Sequence, residues 1–238
     1  MKVVAREDGE TIVPGPSVRP RDASSLVLLR RDQGEVRVLM GKRHGGHAFM
    51  PNKFVFPGGR VDPGDARIVA ADELAPLAME KLLKGRISIS RAKGLAMAAV
   101  RETFEEAGVI IGKPTATPPR SKSPHWKPFF ETGHLPELGP LRYVFRAITP
   151  PARPRRFDTR FFMMFEDETK ALTPEQFLGS GELTELAWIP LSCTGDYDLP
   201  SITEAVLEEV RARVKDPDPA RPVPFVRFTH GKPMFGTH

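Results

Sequence analysis

The stretch Gly94–Val109, GLAMAAVRETFEEAGV, sets two chemically opposed faces on one helix. On a wheel of about 100° per residue with Val100 at zero, Phe104 falls near +40°, Met97 near +60° and Ala107 near −20°. Those four side chains make an apolar stripe that other parts of the chain must cover. Glu102, Glu105 and Glu106 fall at roughly 140–240°, on the opposite side. The helix is expected from about Gly94 to Ala107, with Gly108 at a natural C-cap position. Three carboxylates at i, i+3 and i+4 repel one another unless a cation lies among them. Hard divalent ions such as Mg²⁺ favour carboxylate oxygens together with substrate phosphates. For an arbitrary helix, a solvated Glu-rich face is the commoner reading. Two neighbours shift the balance here. Arg101 directly precedes the cluster, and Pro57-Gly58-Gly59 lies upstream in a glycine loop whose carbonyls can approach a metal or phosphate.

The remaining pattern places this helix in an α/β (α+β) fold. Ser24–Arg30 and Glu35–Met40 read as two strands joined by Arg31-Asp32-Gln33-Gly34, and Lys53–Phe56 as a short extended piece. Ala66–Lys93 is expected to be mostly helical. Ile111–Pro140 carries seven prolines and reads as a loop with at most one helical turn near Trp126–Glu131. Leu141–Ile148, Arg160–Phe165 and Glu185–Leu191 follow as strands, the second apolar on both faces as a central strand would be. Ile202, Val206, Val210 and Val214 recur every four residues and mark an amphipathic helix opened by Pro200-Ser201. The organisation expected is an irregular arm over 1–22, one domain over 23–214 and a Pro-rich tail over 215–238 that wraps the surface.

Composition excludes several classes. With 238 residues, 40% hydrophobic and 27% charged, the chain can bury an ordinary globular core. No apolar run approaches the roughly 18–20 residues of a membrane span, and Met1–Pro20 has no apolar h-region. Cys193 is the single cysteine, so no internal disulfide forms and a catalytic thiol has a low prior. The net charge of +5 favours anionic partners, but no Cys/His finger spacing or RNA-binding signature accompanies it, and no nucleic-acid partner is expected.

Gly59, Arg101, Glu102, Glu105, Glu106, Gly108 and Val109 together resemble the Nudix box, G-x5-E-x7-R-E-U-x-E-E-x-G-U, with U a bulky apolar residue. The sequence departs from it in three ways. Asp65 stands where the box has Glu, and Thr103 stands at an apolar position. Thirty-five residues, Ala66–Val100, separate Asp65 from Arg101 where the box has 7, an excess of 28. That insertion, its 66–93 part helical, reads as a lid or rim. Together with Phe49-Met50-Pro51 and Arg155-Arg156-Phe157-Asp158-Thr159-Arg160, the interrupted box is similar to the Nudix enzymes that act on coenzyme A and acyl-coenzyme A.

The resemblance implies an α/β/α sandwich with a mixed curved sheet, and a metal-dependent diphosphatase using Mg²⁺, with Mn²⁺ as the alternative. The products would be 3′,5′-ADP and (acyl-)4′-phosphopantetheine. Metal ligands would be Glu105 and Glu106 with Glu102 and the Gly59 carbonyl. Arg101 would position Glu102, and Asp65 would bind a metal-linked water. The general base is left open between Glu102 and the loop acids Glu182 and Glu185. Arg43, Lys53, Arg60, Arg156 and Arg160 are the candidate phosphate-binding cations, with Lys42 and Arg155 also available. For Arg156 the competing reading is an ion pair with Asp158. His44 and His47 lack a third ligand and read as loop residues. The competing functions are hydrolysis of ADP-ribose, NADH or dinucleotides, and non-catalytic nucleotide sensing. A cytoplasmic location is expected, since the sequence lacks a Ser-Lys-Leu ending. A homodimer is the assembly common among relatives of this kind.

Overall fold

The computed structural model describes residues 18–46, 52–151, 153, 155–169, 173–174, 182–229 and 232–238. In chain order the elements are β1 (Arg21–Asp32), β2 (Glu35–Arg43), β3 (Phe54–Val55), β4 (Gly58–Arg60), α1 (Pro76–Leu83), α2 (Ile89–Ala107), β5 (Gly112–Pro114) and α3 (Lys127–Glu131). They continue with β6 (His134–Pro136), β7 (Arg142–Ile148), β8 (Phe157–Phe165), β9 (Leu183–Pro190), α4 (Ser201–Lys215), β10 (Pro224–Thr229) and β11 (Lys232–Thr237). Nine strands form one mixed sheet in the order β11-β10-β7-β8-β1-β2-β3, with β4 also paired to β1 and β9 to β2. The β1–β8 and β10–β7 pairs are parallel and the rest antiparallel. A separate ribbon joins β5 to β6.

Alternation along the central strands divides the core. Leu26 and Leu28 of β1 and Phe162 and Met164 of β8 point into the cluster beneath α1, α2 and α3. Val27 and Leu29, with Phe161, Met163 and Phe165, point into the cluster beneath α4. Successive strand residues face opposite sides, so a strand covered on both faces must be apolar throughout. That is why FFMMF occupies β8, and the result is the expected α/β/α sandwich.

The local signals explain the boundaries. Gln33 and Gly34, at φ 50° and 84°, form the two-residue turn of the β1–β2 hairpin, where both central positions need positive φ. Helix α2 starts at Ile89, five residues before the expected Gly94, because the Ser88 hydroxyl accepts the Arg91 N–H at 3.2 Å as an N-cap. Its end is as expected. Gly108 at φ 69° donates its N–H to the Phe104 carbonyl at 2.8 Å.

Two expectations are corrected and one is narrowed. The segment 66–93 is helical over just over half its length, in the end of a 3₁₀ turn at Asp65–Arg67, in α1 and in the first residues of α2. Ile68–Ala75 runs irregularly against residues 136–139. There Asp72 accepts the N–H groups of Leu138 and Gly139 at 2.7 and 3.2 Å. The Pro-rich loop contains the expected turn at α3 but also the β5–β6 ribbon. The tail does not simply wrap the surface: β10 and β11 extend the sheet beyond β7. Most of the expected 1–22 arm lies outside the described residues.

Candidate metal centre and cavity

The centre is built where β4 meets the polar face of α2. β4 lies against β1, with Ser24 opposite Gly59 and Ser25 opposite Gly58. A Cβ on Gly58 would lie 2.6 Å from the Ser24 carbonyl, so backbone fills the space a side chain would need. A Cβ on Gly59 would lie 2.5 Å from the Glu102 carboxylate. Glycine at both positions brings a bare strand directly onto the glutamates.

Glu106 is not on the solvent face that the helical wheel implies; it is 3% exposed. Its Oε2 accepts the Gly58 N–H at 2.8 Å, while Oε1 is buried without a hydrogen-bond partner among the described residues. Burial pushes the Glu106 carboxyl up to about 8; the Gly58 N–H opposes this and the charge of Glu102 adds to it. Burial likewise pushes Glu102 up to about 7, against the attraction of Arg101. Two buried carboxylates that resist ionisation mark a place where positive charge is missing.

Arg101 supplies only part of that charge. It is 2% exposed, and its Nη1 donates to Glu102 Oε1 at 2.8 Å and to Glu105 Oε2 at 3.0 Å. Its Nη2 reaches the Arg60 carbonyl at 2.8 Å, and Nε and Nη2 grip Asp65 at 3.0 and 3.1 Å. Burial works against the charged guanidinium, but the Asp65 hydrogen bonds and the glutamates raise it above the ordinary arginine value. Asp65 is fully buried. It also accepts the Trp126 indole N–H at 2.8 Å and the Asp62 backbone N–H at 2.8 Å. Each of its oxygens thus takes two donors. It positions Arg101 rather than a metal-linked water, and a short carboxylate is enough because the guanidinium reaches it. Thr103, at an apolar position of the box, is fully buried and donates its hydroxyl to the Ala99 carbonyl at 2.8 Å, which satisfies it within the helix.

Glu105 shares the Arg101 Nη1 donor with Glu102 and also meets His125. Its Oε1 lies 3.1 Å from His125 Nδ1 and its Oε2 is held by Arg101. Among the described residues, no three His, Cys, Asp or Glu side chains form a ligand group. Glu102 and Glu106 stand beside Gly58–Gly59, and Glu105 lines the cavity next to Glu102, joined to it through Arg101 Nη1. The unpartnered Glu106 Oε1, the raised pair and the side-chain-free strand fit a hard divalent cation.

A cavity of about 690 Å³ opens from this centre. Of the expected phosphate-binding cations, Arg43, Arg60 and Arg155 line it, and so does Glu182, whose charge adds to the upward shifts of Glu102 and Glu106. Lys42, Lys53, Arg156 and Arg160 lie outside its lining. Lys53 pairs with Asp198 at 2.5 Å. Arg156 donates to the Thr149 and Val18 carbonyls at 3.0 and 2.7 Å; the ion pair weighed for it is made instead by Arg146 and Arg160, at 2.8 and 3.0 Å from Asp158. Arg160 is 2% exposed and also held by Asp22 at 3.2 Å, so it braces the sheet rather than meeting a ligand. Glu185 is drawn to Lys42 at 3.1 Å, outside the cavity. His44 Nδ1 accepts the Gly46 N–H at 3.1 Å, a loop contact as expected. His47 and Phe49-Met50-Pro51 lie outside the described residues.

Sequence reasoning missed Arg153, His125 and Ser24. Arg153 lines the cavity beside Arg155. Ser24 is 1% exposed, lines the cavity, and its hydroxyl has no partner among the described residues. His125 sits in a proline-rich loop without periodicity, and what fixes it is Trp126, Phe129 and Phe130, all buried. Phe129 packs edge-on to Phe104 of α2 at 5.2 Å.

No family model matches the chain. The Caenorhabditis elegans protein named "Putative nudix hydrolase 7" is 33% identical over 196 residues, which are 76% of this chain and 57% of that protein. "Acyl-coenzyme A diphosphatase NUDT19" of Xenopus laevis is 23% identical over 218 residues, 71% of this chain and 56% of that one. The chain therefore spans a little over half the length of these curated relatives. Among solved structures, a NUDIX hydrolase from Alicyclobacillus acidocaldarius superposes with a TM-score of 0.57 at 27% identity, covering 82% of this chain and 92% of the other. With the box residues gathered at β4 and α2, these likenesses assign the chain to the Nudix hydrolase family.

Proposed function

We propose that the chain is a divalent-cation-dependent diphosphatase acting on coenzyme A or acyl-coenzyme A, giving 3′,5′-ADP and (acyl-)4′-phosphopantetheine. The observation that carries the reaction type is Glu106, buried with one oxygen bonded to Gly58 and the other unpartnered, next to Glu102. The substrate rests on the likeness to the Xenopus protein and on the interrupted box.

Glu102, Glu105 and Glu106 with the Gly59 carbonyl would hold the cation, Mg²⁺ with Mn²⁺ as the alternative, and Arg101 keeps Glu102 oriented. When bound, the cation would supply charge neutralisation for the diphosphate and a lowered pKa for water. Arg43, Arg60, Arg153 and Arg155 line the same cavity and take the substrate phosphates, including the 3′-phosphate on the ribose. Glu182 lines the cavity near the buried pair and accepts the proton of the attacking water. The water oxygen bonds to one phosphorus, the bond from that phosphorus to the bridging oxygen breaks, the bridging oxygen leaves with the other product, and no covalent bond to the protein forms.

The test is incubation with Mg²⁺ and a panel of coenzyme A, acyl-coenzyme A, ADP-ribose, NADH and diadenosine compounds. Release of 3′,5′-ADP from the coenzyme A members, abolished by EDTA, is the expected result. Turnover of ADP-ribose alone would overturn the substrate, and turnover without divalent cations would overturn the mechanism.

A further inference from the structure

Two adjacent residues outside the box meet the carboxylate network at its two ends. His125 Nδ1 lies 3.1 Å from Glu105 Oε1, and the Trp126 indole N–H reaches Asp65 Oδ1 at 2.8 Å. An ionised carboxylate only accepts, so the imidazole presents Nδ1–H to Glu105. Between those ends Arg101 joins the two acids, with Nε 3.0 Å from Asp65 Oδ1 and Nη1 3.0 Å from Glu105 Oε2. The path Trp126–Asp65–Arg101–Glu105–His125 is thus a ring, closed by the peptide bond between His125 and Trp126. Glu102 hangs from the same ring, its Oε1 accepting Arg101 Nη1 at 2.8 Å.

The ring is held from outside. Trp126 packs edge-on to Phe129 at 5.5 Å, and Phe129 packs against Phe104, which lies between Arg101 and Glu105 on α2. Thr115 donates its N–H to the Gly133 carbonyl at 2.9 Å, closing the loop at the β5–β6 ribbon. The box insertion grips that ribbon: Ala71 donates its N–H to the Pro136 carbonyl at 2.8 Å, and Asp72 takes Lys113 at 2.9 Å. Its α1 is tied to the C-terminal segment, Lys81 Nζ donating to the Pro219 and Arg221 carbonyls at 2.5 and 2.8 Å. Among the described residues, none from Ala66 to Val100 lines the cavity, so the insertion is not the expected lid or rim. The His125 side chain is half exposed, and a contact so exposed adds little to folding stability. It acts instead on Glu105, which is itself too open to the cavity for packing alone to fix it.

We propose that the His125–Trp126 corner is the positioning element of the cation site: Trp126 sets Arg101 through Asp65, His125 sets Glu105, and the closed ring fixes the spacing of the glutamates before a divalent cation arrives. The inference rests on the divalent-cation reading above. Groups held in place in advance bind more tightly than groups that must be ordered on binding, and the residues that orient metal ligands contribute to metal affinity for that reason.

The test measures Mn²⁺ binding, through loss of the free-ion electron paramagnetic resonance signal, in the wild type, Trp126→Phe, His125→Ala, His125→Asn and the double variant Trp126→Phe/His125→Ala. Glu106→Gln identifies the share of binding that belongs to the centre. Trp126→Phe keeps an aromatic ring and loses the N–H, while His125→Asn offers an amide N–H in place of Nδ1–H. Trp126→Phe and His125→Ala are each expected to weaken binding by about tenfold, the scale found for residues that hold a metal ligand. His125→Asn should recover most of that loss. The double variant should lose less than the product of the two single losses, because one break already opens the ring. Far-UV circular dichroism shows which variants keep the fold, and should Trp126→Phe lose it, the two His125 variants decide. Unchanged affinity in the folded single variants overturns the proposal, as does the same loss in His125→Ala and His125→Asn. A wild type that binds Mn²⁺ but hydrolyses no diphosphate removes the diphosphatase reading alone, and the affinities still decide the corner. A wild type whose Mn²⁺ binding does not depend on Glu106 overturns the corner together with the centre.

Discussion

Replacing Glu106 by Gln removes a buried charge while keeping a carbonyl oxygen for the Gly58 N–H. Burial pushes the wild-type carboxyl up to about 8 in the folded protein, from the ordinary glutamate value of 4.5. A carboxyl whose pKa is raised by folding contributes its full stability below the unfolded value and loses it as pH rises through the folded one. Metal-free wild type should therefore lose at most about 3–4 kcal/mol between pH 5 and pH 8 through this group. The variant lacks that loss but places an amide NH₂ where Oε1 had no partner, at a cost of about 1–2 kcal/mol at every pH. The two curves should cross. At pH 5 the variant is the less stable by roughly 1 kcal/mol, and at pH 8 it is the more stable by roughly 2 kcal/mol. For a domain of this size that is a difference in Tm on the order of 5 °C at pH 8. Thermal melts in EDTA at the two pH values measure it. Added Mg²⁺ should then stabilise the wild type at pH 8 and leave the variant nearly unmoved, and diphosphate turnover in the variant should fall by at least about 100-fold. A variant less stable than wild type at both pH values, or one that Mg²⁺ stabilises equally, refutes the reasoning.

Asp65→Asn removes the fully buried one of the three carboxylates paired with the buried Arg101. A loss of about 3–5 kcal/mol in urea unfolding is expected, and a loss below about 1 kcal/mol would show that Asp65 does not hold Arg101. Gly59→Ala puts a methyl group 2.5 Å from the Glu102 carboxylate. The carboxylate must swing away, so the apparent Mg²⁺ requirement in a turnover assay should rise several-fold while far-UV circular dichroism stays the same. An unchanged Mg²⁺ titration would remove Glu102 from the centre.

Much of the centre was legible because its geometry is local. Arg101, Glu102, Glu105 and Glu106 sit within six residues on one helix, where 3.6-residue periodicity fixes which side chains share a face. The turn at Gln33-Gly34, the cap at Gly108 and the two-faced apolar run of β8 are similarly short-range. The errors fall where a side chain's partner is distant. Asp65 looks like the holder of a metal-linked water until Trp126, 61 residues away, shares one of its oxygens with Arg101. Arg160 looks like a phosphate contact until Asp158 and Asp22 enclose it. The tail looks irregular because its prolines mask two strands, β10 paired to β7 and β11 at the sheet edge, whose register depends on a distant partner.

The sequence by itself determined that three glutamates share a helix face behind Arg101 and that a glycine pair precedes them, since backbone periodicity needs no distant contact. Tertiary structure alone decided which glutamates are buried and that His125 meets Glu105. It also decided that the 28-residue excess lies behind the cavity rather than over it. Burial and charge compensation are properties of the packed surroundings. They arise only when β4, the 125–130 turn and the C-terminal strands close around α2 and the sheet.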